Sequence, residues 1–154
     1  MTGILEKIQR EIDRQHNDII EILSLSANEI NWAPQKHLQT ISDIIEHVGT
    51  KENYYVQKII LNRRLEEFKT KEGVFRSNKE LKNAYEFLSK ATNKALLEQI
   101  DETCLKDIKD IEGKTLSILE ILIRLIDHNA FHIGQMKYIK SMLSSNEFVE
   151  PPKA

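Results

Sequence analysis

The sequence has one cysteine and few residues that interrupt helices. Cys104 has no second cysteine with which to pair, which excludes an intramolecular disulfide and any metal site built from several thiolates. A free thiol is typical of a reducing compartment. The chain also has only five glycines and three prolines in 154 residues. Because glycine and proline punctuate regular structure, their scarcity favours long helices.

A charge excess of one sign and a long apolar segment are also missing. The formal net charge is −2, and Lys and Arg are scattered among Asp and Glu, so we expect no nucleic-acid partner. No apolar run approaches the roughly 18 residues of a membrane span, and the N-terminus lacks the apolar region of a signal peptide. These absences predict a cytoplasmic protein that does not associate with membranes.

What is present is the composition of a folded domain. Hydrophobic residues make up 40% of the chain and charged residues 30%, which is typical of a globular protein and not of a disordered one. A chain of this length suits one domain with a core of its own. We therefore predict a single domain at residues 1–150, followed by a frayed tail at 151–154.

Apolar residues recur at helical spacing in four segments, which predicts four amphipathic helices. Ser or Thr followed three residues later by Asp or Glu marks the start of each of the last three. The pattern dissolves at 61–76 and at 101–115, which predicts two long connections, the second irregular or extended. Together these features are typical of an all-α four-helix bundle. The predicted helices span residues of about 4–25, 40–59, 77–100 and 117–143.

Two histidines lie one turn apart in the fourth predicted helix. His128 and His132 fall on the same helix face as core residues such as Leu125. Side chains at i and i+4 are neighbours, so two imidazoles can take adjacent positions around one metal ion. A core histidine held by a hydrogen bond is the alternative explanation for each. His47, on the flank of the second helix, would complete a three-histidine set if that helix packs beside the fourth.

The other polar candidates have simpler interpretations. His16 is expected to be a core histidine bonded to a neighbour, with the lining of a pocket as the alternative. His37 is expected at the surface. Glu46 and Glu52 are conceivable bases, but we expect both to be solvated. The candidates for orienting the histidines of the fourth helix are Asp127, Asn129 and Gln135.

Three motif segments resemble the DinB/YfiT superfamily of metal-binding four-helix bundles. They are Trp32-Ala33-Pro34 before the second helix, Ser42–His47 within it, and Asp127–Gln135 in the fourth helix. The resemblance covers nearly the whole chain. At one position the sequence departs from the family, because Ile133 stands where the family often has Arg. That difference bears on a charge-dependent role at this position and not on the metal ligands.

The resemblance implies an up-down-down-up bundle with a long crossover and, frequently, a homodimer. In that family one histidine of the second helix and the HxxxH pair of the fourth bind a divalent metal ion, commonly zinc or nickel. Carried over to this sequence, the ligands are His47, His128 and His132, with one ion per chain. Three neutral imidazoles leave an open coordination position, as in catalytic zinc sites.

The resemblance also implies chemistry on a small-molecule substrate. Some relatives are S-transferases or isomerases that use a low-molecular-weight thiol such as bacillithiol, mycothiol or glutathione, and others resemble metal-dependent hydrolases. We rank thiol transfer first, because the motif contains no evident general base. The third hypothesis is a non-catalytic, metal-binding stress-response protein that serves as a scaffold. The sequence identifies no catalytic residue.

Overall fold

The structure, a computed structural model, describes residues 3–64, 68 and 77–145. The predicted tail at 151–154 lies outside these residues. The α-helices are α1 Ile4–Ile22, α2 Ala27–Ile30, α3 Ile41–Asn53, α4 Asn78–Lys94 and α5 Ile118–Leu143. Helices α3 and α4 continue into wider π-helical turns at Tyr54–Ile60 and Ala95–Gln99. None of the described helices is long and apolar enough to cross a membrane.

Two apolar clusters at opposite ends of the bundle show the direction of each long helix. The upper core joins the end of α1, the start of α3, the start of α4 and the end of α5, whereas the lower core joins the opposite ends. Helices α1 and α5 therefore run in one direction and α3 and α4 in the other, which confirms the predicted up-down-down-up bundle. The upper core includes Ile19, Ile44, Leu81 and Met136, and the lower core includes Ile12, Val56, Leu96 and Leu122.

The connection between α3 and α4 joins opposite ends of the bundle, as a long crossover must. Ile60 packs in the lower core, whereas Leu81 packs in the upper core. Residues 65–67 and 69–76 of this connection lie outside the described residues. Phe68 is described, and its ring is buried in the upper core.

Side-chain caps start the two helices that carry the predicted metal ligands. Thr40 Oγ1 accepts a hydrogen bond from the Asp43 backbone N–H at 3.0 Å, and the Asp43 carboxylate accepts one from the Thr40 N–H at 3.1 Å. This reciprocal pair is the predicted capping box. At α5, Ser117 Oγ accepts from the Glu120 N–H at 3.1 Å. Both caps satisfy backbone donors that the helix itself leaves unpaired.

Two segments contain short elements that the sequence analysis did not predict. The first helix ends at Ile22 and not near residue 25, because Ser26 and Glu29 form a capping box of their own and start the short helix α2. The second connection, expected to be irregular or extended, contains a 3₁₀ helix, Glu102–Lys106, and an antiparallel hairpin. The strands of the hairpin are β1 Ile108–Ile111 and β2 Lys114–Ser117.

The turn of this hairpin explains how the chain folds back between α4 and α5. Glu112 and Gly113 link the strands with φ angles of 52° and 80°. Positive φ at both central residues is the geometry of the two-residue turns that match strand twist, and glycine adopts it without steric cost. The hairpin leads directly into the Ser117 cap of α5.

A layer of buried polar side chains separates the two cores. Its members come from all four long helices, at the positions between the upper and the lower apolar clusters. Glu52 in this layer is fully buried, although it was expected in solvent. We call this group the polar layer; it contains Gln15, His16, Glu52, Ser89, Thr92 and Asn129.

Gly49 allows the close approach of an aromatic ring to α3. A Cβ atom at this position would overlap the ring of Phe68, whereas a Cβ atom at Gly134, an exposed position of α5, meets no atom. Both glycines lie inside helices, where alanine is favoured by about 0.5–1 kcal/mol. The two positions are therefore a matched pair of helical glycines that differ in whether an aromatic ring lies against them.

We predict opposite effects of alanine at these two glycines. Gly49→Ala should lower the free energy of unfolding by about 1–3 kcal/mol, because the overlap with Phe68 outweighs the gain in helix propensity. Gly134→Ala should raise it by about 0.5–1 kcal/mol. Denaturant unfolding of the two variants beside the wild type measures both changes. A Gly49→Ala variant as stable as Gly134→Ala would contradict the placement of the Phe68 ring.

Candidate metal centre

Helices α3 and α5 pack against each other in opposite directions, which brings three histidines together. His47 comes from the second turn of α3, and His128 and His132 come from the middle of α5. His132 is 9% exposed, and the other two are partly buried. We call these three residues the histidine cluster. They are the residues that the sequence and the family resemblance select as metal ligands.

The imidazole rings of the histidine cluster converge on one point. The Nε2 atoms of His47 and His128 are 3.0 Å apart. The ring centroid of His47 lies 4.9 Å from that of His128 and 4.8 Å from that of His132. The ring centroids of His128 and His132 are 4.5 Å apart. One potential ligand atom from each residue lies within 4.8 Å of the others. The three side chains are therefore positioned to bind a metal ion.

The donor set suits a divalent transition metal. Two imidazole nitrogens on one tetrahedral zinc ion are about 3.3 Å apart, given bonds of about 2.0–2.1 Å. The 3.0 Å between Nε2 of His47 and Nε2 of His128 is close to this value. Imidazole is a preferred ligand of zinc, nickel and copper. Three such ligands leave the fourth tetrahedral position open.

The surroundings keep two of these imidazoles neutral. Burial lowers the pKa of His128 to about 4, and the nearby His132, His47 and Lys51 act in the same direction. Burial also lowers the pKa of His47, helped by His132 and Lys51. A metal ligand must present an unprotonated nitrogen, so near neutral pH no proton has to leave these rings before an ion binds.

Two amide side chains lie close in the chain to the histidines of α5. The Nδ1 atom of His132 is 2.7 Å from Oε1 of Gln135. Because an amide oxygen only accepts, Nδ1 carries the proton, and Nε2 keeps its lone pair for a metal. Asn129 directly follows His128 in α5, and its side-chain amide acts to raise the pKa of that ring. Gln135 and Asn129 were both predicted to orient these rings, whereas Asp127, the third candidate, is exposed.

Glu52 is the residue whose environment the sequence prediction got wrong. Its carboxylate lies in the polar layer and accepts hydrogen bonds from Thr92 and Asn129. His16 Nε2 is 2.8 Å from the same carboxylate, which confirms the prediction of a core histidine bonded to a neighbour. A signal was present, because Glu52 lies midway between Val48 and Val56 on the apolar stripe of its helix.

A cation and an aromatic ring lie beside the histidine cluster. Lys51, one turn after His47 on α3, is close enough to depress the pKa of both His47 and His128. Phe131 places its ring edge against His132, with centroids 5.2 Å apart, and is 64% exposed. The surroundings of the cluster therefore include a positive charge and an accessible apolar surface. His37, expected at the surface, is exposed.

Sequence comparison matches the chain with one protein family. The model of the family described as "Protein of unknown function (DUF1572)" matches residues 3–150. No curated protein matches the chain.

Solved structures with the same fold include DinB-like proteins, which confirms the predicted resemblance. A DinB-like protein from Bacillus cereus has a TM-score of 0.77 at 17% identity and covers 97% of each chain. A conserved protein from Enterococcus faecalis has a TM-score of 0.75 at 16% identity, over 92% of this chain and 98% of that one. A DinB-like protein from Bacillus subtilis has a TM-score of 0.67 at 15% identity, over 96% of this chain and 99% of that one. At these identities the likeness establishes the fold alone.

We predict that metal binding depends on His47 and not on His37, an exposed histidine outside the cluster. Tag-free wild-type protein should retain about one divalent ion per chain, and His47→Ala should lose it, because three ligands leave no redundancy. His37→Ala and Cys104→Ser are the matched controls and should retain the ion. Elemental analysis after dialysis against zinc or nickel measures the stoichiometry. Full retention of the ion in His47→Ala would contradict the assignment of His47 as a metal ligand.

Proposed function

The chain belongs to the DUF1572 family and has the fold of DinB-like proteins, and from this premise we propose a metal-dependent thiol S-transferase. In this proposal His47, His128 and His132 hold one zinc or nickel ion per chain. The observation that carries the proposal is the convergence of three imidazoles on one point at a partly accessible surface. When bound, such an ion supplies Lewis-acid activation of a nucleophile, either a thiol or water.

Lys51 supports a thiol cosubstrate that carries negative charge. Lys51 lies one turn after His47 on α3, and its positive charge acts to lower the pKa of both His47 and His128. Low-molecular-weight thiols such as glutathione and bacillithiol carry carboxylates. A carboxylate bound by Lys51 would hold the sulfur end of such a molecule near the histidine cluster, because opposite charges attract across a partly buried site.

The surface of Phe131 supports an apolar second substrate. The ring is 64% exposed although it contacts His132. An exposed aromatic ring next to a potential metal site offers stacking area to an apolar electrophile. In this proposal Lys51 and Phe131 bind the two reactants of an S-transfer, the charged thiol and the apolar electrophile.

Hydrolysis is the second candidate, because the same three ligands also suit the activation of water. Within the residues that the structure describes, no carboxylate joins the histidine cluster as a further potential ligand. Glu52, the buried carboxylate, is hydrogen bonded within the polar layer. This arrangement favours thiol transfer, in which no water has to be deprotonated. The homodimer and the cytoplasmic location implied earlier stay predictions.

We predict that the metal-loaded protein consumes a low-molecular-weight thiol in the presence of an electrophile. Glutathione with 1-chloro-2,4-dinitrobenzene is a suitable first pair, followed by bacillithiol, and His47→Ala supplies the metal-free control. A rate that depends on both metal and His47 is the expected result. Hydrolysis of 4-nitrophenyl acetate without thiol consumption would favour the hydrolase. Metal binding with neither activity would contradict both enzymes and leave the scaffold.

Lys51 provides a test of the proposed thiol orientation. Lys51→Met should raise the KM for glutathione about 5-fold, the effect of losing one partly exposed ion pair of about 1 kcal/mol. The KM for uncharged 2-mercaptoethanol should not change. Lys58→Met is the matched control, since Lys58 lies over the ring of Tyr54 at 5.7 Å as Lys51 lies over Tyr55 at 5.8 Å. Equal effects of Lys51→Met on both thiols would contradict the orientation.

A further inference from the structure

A fully buried carboxylate lies next to the histidine cluster without belonging to it. Glu52 has no exposed surface. Its Oε2 atom is 2.8 Å from Nε2 of His16 and accepts from Thr92 Oγ1 at 2.9 Å. Its Oε1 atom accepts from Asn129 Nδ2 at 3.3 Å. Asn129 directly follows His128 in α5, so the polar layer reaches the histidine cluster through this residue.

The apolar packing of the bundle does not explain a carboxylate at this position. Val48 and Val56, one turn before and one turn after Glu52, are fully buried in the upper and the lower core. A hydrophobic residue between them would continue the apolar stripe. Replacement of a complete buried ionic pair, here Glu52 together with His16, by apolar residues is often neutral or stabilising, whereas loss of one partner alone is destabilising. The presence of Glu52 therefore points to a role other than packing.

Glu52 determines which way the Asn129 amide faces. A carboxylate accepts hydrogen bonds, so it binds the NH2 group of the amide and repels the oxygen. With Nδ2 held by Glu52, Oδ1 of Asn129 must point elsewhere. This oxygen is buried and has no hydrogen-bond partner. The Nδ1 atom of the adjacent His128 is also buried without a partner.

The two unpartnered atoms belong to neighbouring side chains and are complementary. Asn129 is close enough to His128 to influence its ring by hydrogen bonding. A hydrogen bond from Nδ1–H of His128 to Oδ1 of Asn129 would satisfy both buried atoms at once. With the proton on Nδ1, the lone pair is on Nε2, the atom that lies 3.0 Å from Nε2 of His47. This is the tautomer that a metal ligand needs.

We propose that Glu52 and Asn129 are positioning residues that hold the His128 ring in its metal-binding tautomer. Glu52 orients Asn129, and Asn129 in turn accepts the Nδ1 proton of His128. The proposal rests on the proposed metal site, of which it names the outer support. Asn129 would thus accept the Nδ1 proton of His128 as Gln135 accepts that of His132. The difference is that a buried carboxylate, Glu52, orients the amide of Asn129.

Two variants and one matched control test this arrangement. Glu52→Gln keeps the shape of the side chain but removes the preference for one face of the Asn129 amide, and Asn129→Ala removes the acceptor. Ser89→Ala is the control, because Ser89 lies in the same layer and donates only to the backbone oxygen of Tyr85 at 2.9 Å. Thermal unfolding of the metal-free proteins identifies variants that remain folded.

The first measurement needs no metal. Nitrogen-15 correlation spectra of the imidazoles at pH 8 report which nitrogen carries the proton. We expect His128 to be protonated at Nδ1 in the wild type and in Ser89→Ala, and to become a mixture of tautomers in Glu52→Gln and Asn129→Ala. A merely structural role would lower stability without changing the tautomer. An unchanged Nδ1 tautomer in both variants would overturn the proposal.

The second measurement is zinc affinity by competition with a chromogenic chelator. Loss of an outer hydrogen-bond partner typically weakens metal binding about 10–100-fold, so we expect this loss in either variant and a change under about 2-fold in Ser89→Ala. The double variant should bind zinc no more weakly than Asn129→Ala alone, because the two residues act in series. Unchanged affinity in both folded variants, with zinc bound by the wild type, would refute the positioning role alone. A wild type without zinc binding would refute the proposed function, while the tautomer spectra still decide whether Glu52 orients His128.

Discussion

The antiparallel packing of α3 against α5 is the constraint on which the candidate site depends. Both helices contribute apolar side chains to the upper core, and both α5 and the π-helical continuation of α3 contribute to the lower core. Sliding one helix past the other would expose apolar surface at one end at least, which is unfavourable in water. The register is therefore held from both ends, and His47 stays opposite His128 and His132.

The polar layer interrupts the apolar interior at the height of the histidine cluster. Burial of polar groups is unfavourable unless hydrogen bonds compensate, and here the compensation is incomplete. The Glu52 carboxylate is fully engaged, whereas Oε1 of Gln15 and Nδ1 of His16 have no partner. Burial alone would lower the pKa of His16, but the charge and hydrogen bond of Glu52 outweigh burial and raise it. Departures from an apolar core of this kind are typical of functional regions.

The histidine cluster combines neutral imidazoles with a partly accessible surface. Burial and mutual repulsion depress the pKa of His47 and His128, so both rings are ready to act as ligands near neutral pH. Each histidine of α5 has an amide side chain beside it, Gln135 for His132 and Asn129 for His128. Amides are suited to this role because they orient a ring without adding a charge that would compete for the metal.

Much of the fold was predictable because its signals are local. The capping box of Thr40 and Asp43, the cap at Ser117, and the i, i+4 spacing of His128 and His132 involve residues within one or two helical turns. The short helix α2 after Ser26 and the hairpin turn at Glu112 were missed, although their signals are also local. They are short elements, for which competing side-chain hydrogen bonds decide the conformation.

The sequence by itself determined that the chain forms amphipathic helices and that two histidines share one helix face, because helical periodicity depends only on neighbours along the chain. Only the tertiary structure decided that His47 faces those histidines and that Glu52 is buried. A flank residue such as His47 meets whichever helix packs beside it, and an acidic residue on an apolar stripe is solvated or buried according to the partners that other helices supply. Those partners are 36 to 81 residues away in the chain, so no local pattern contains them.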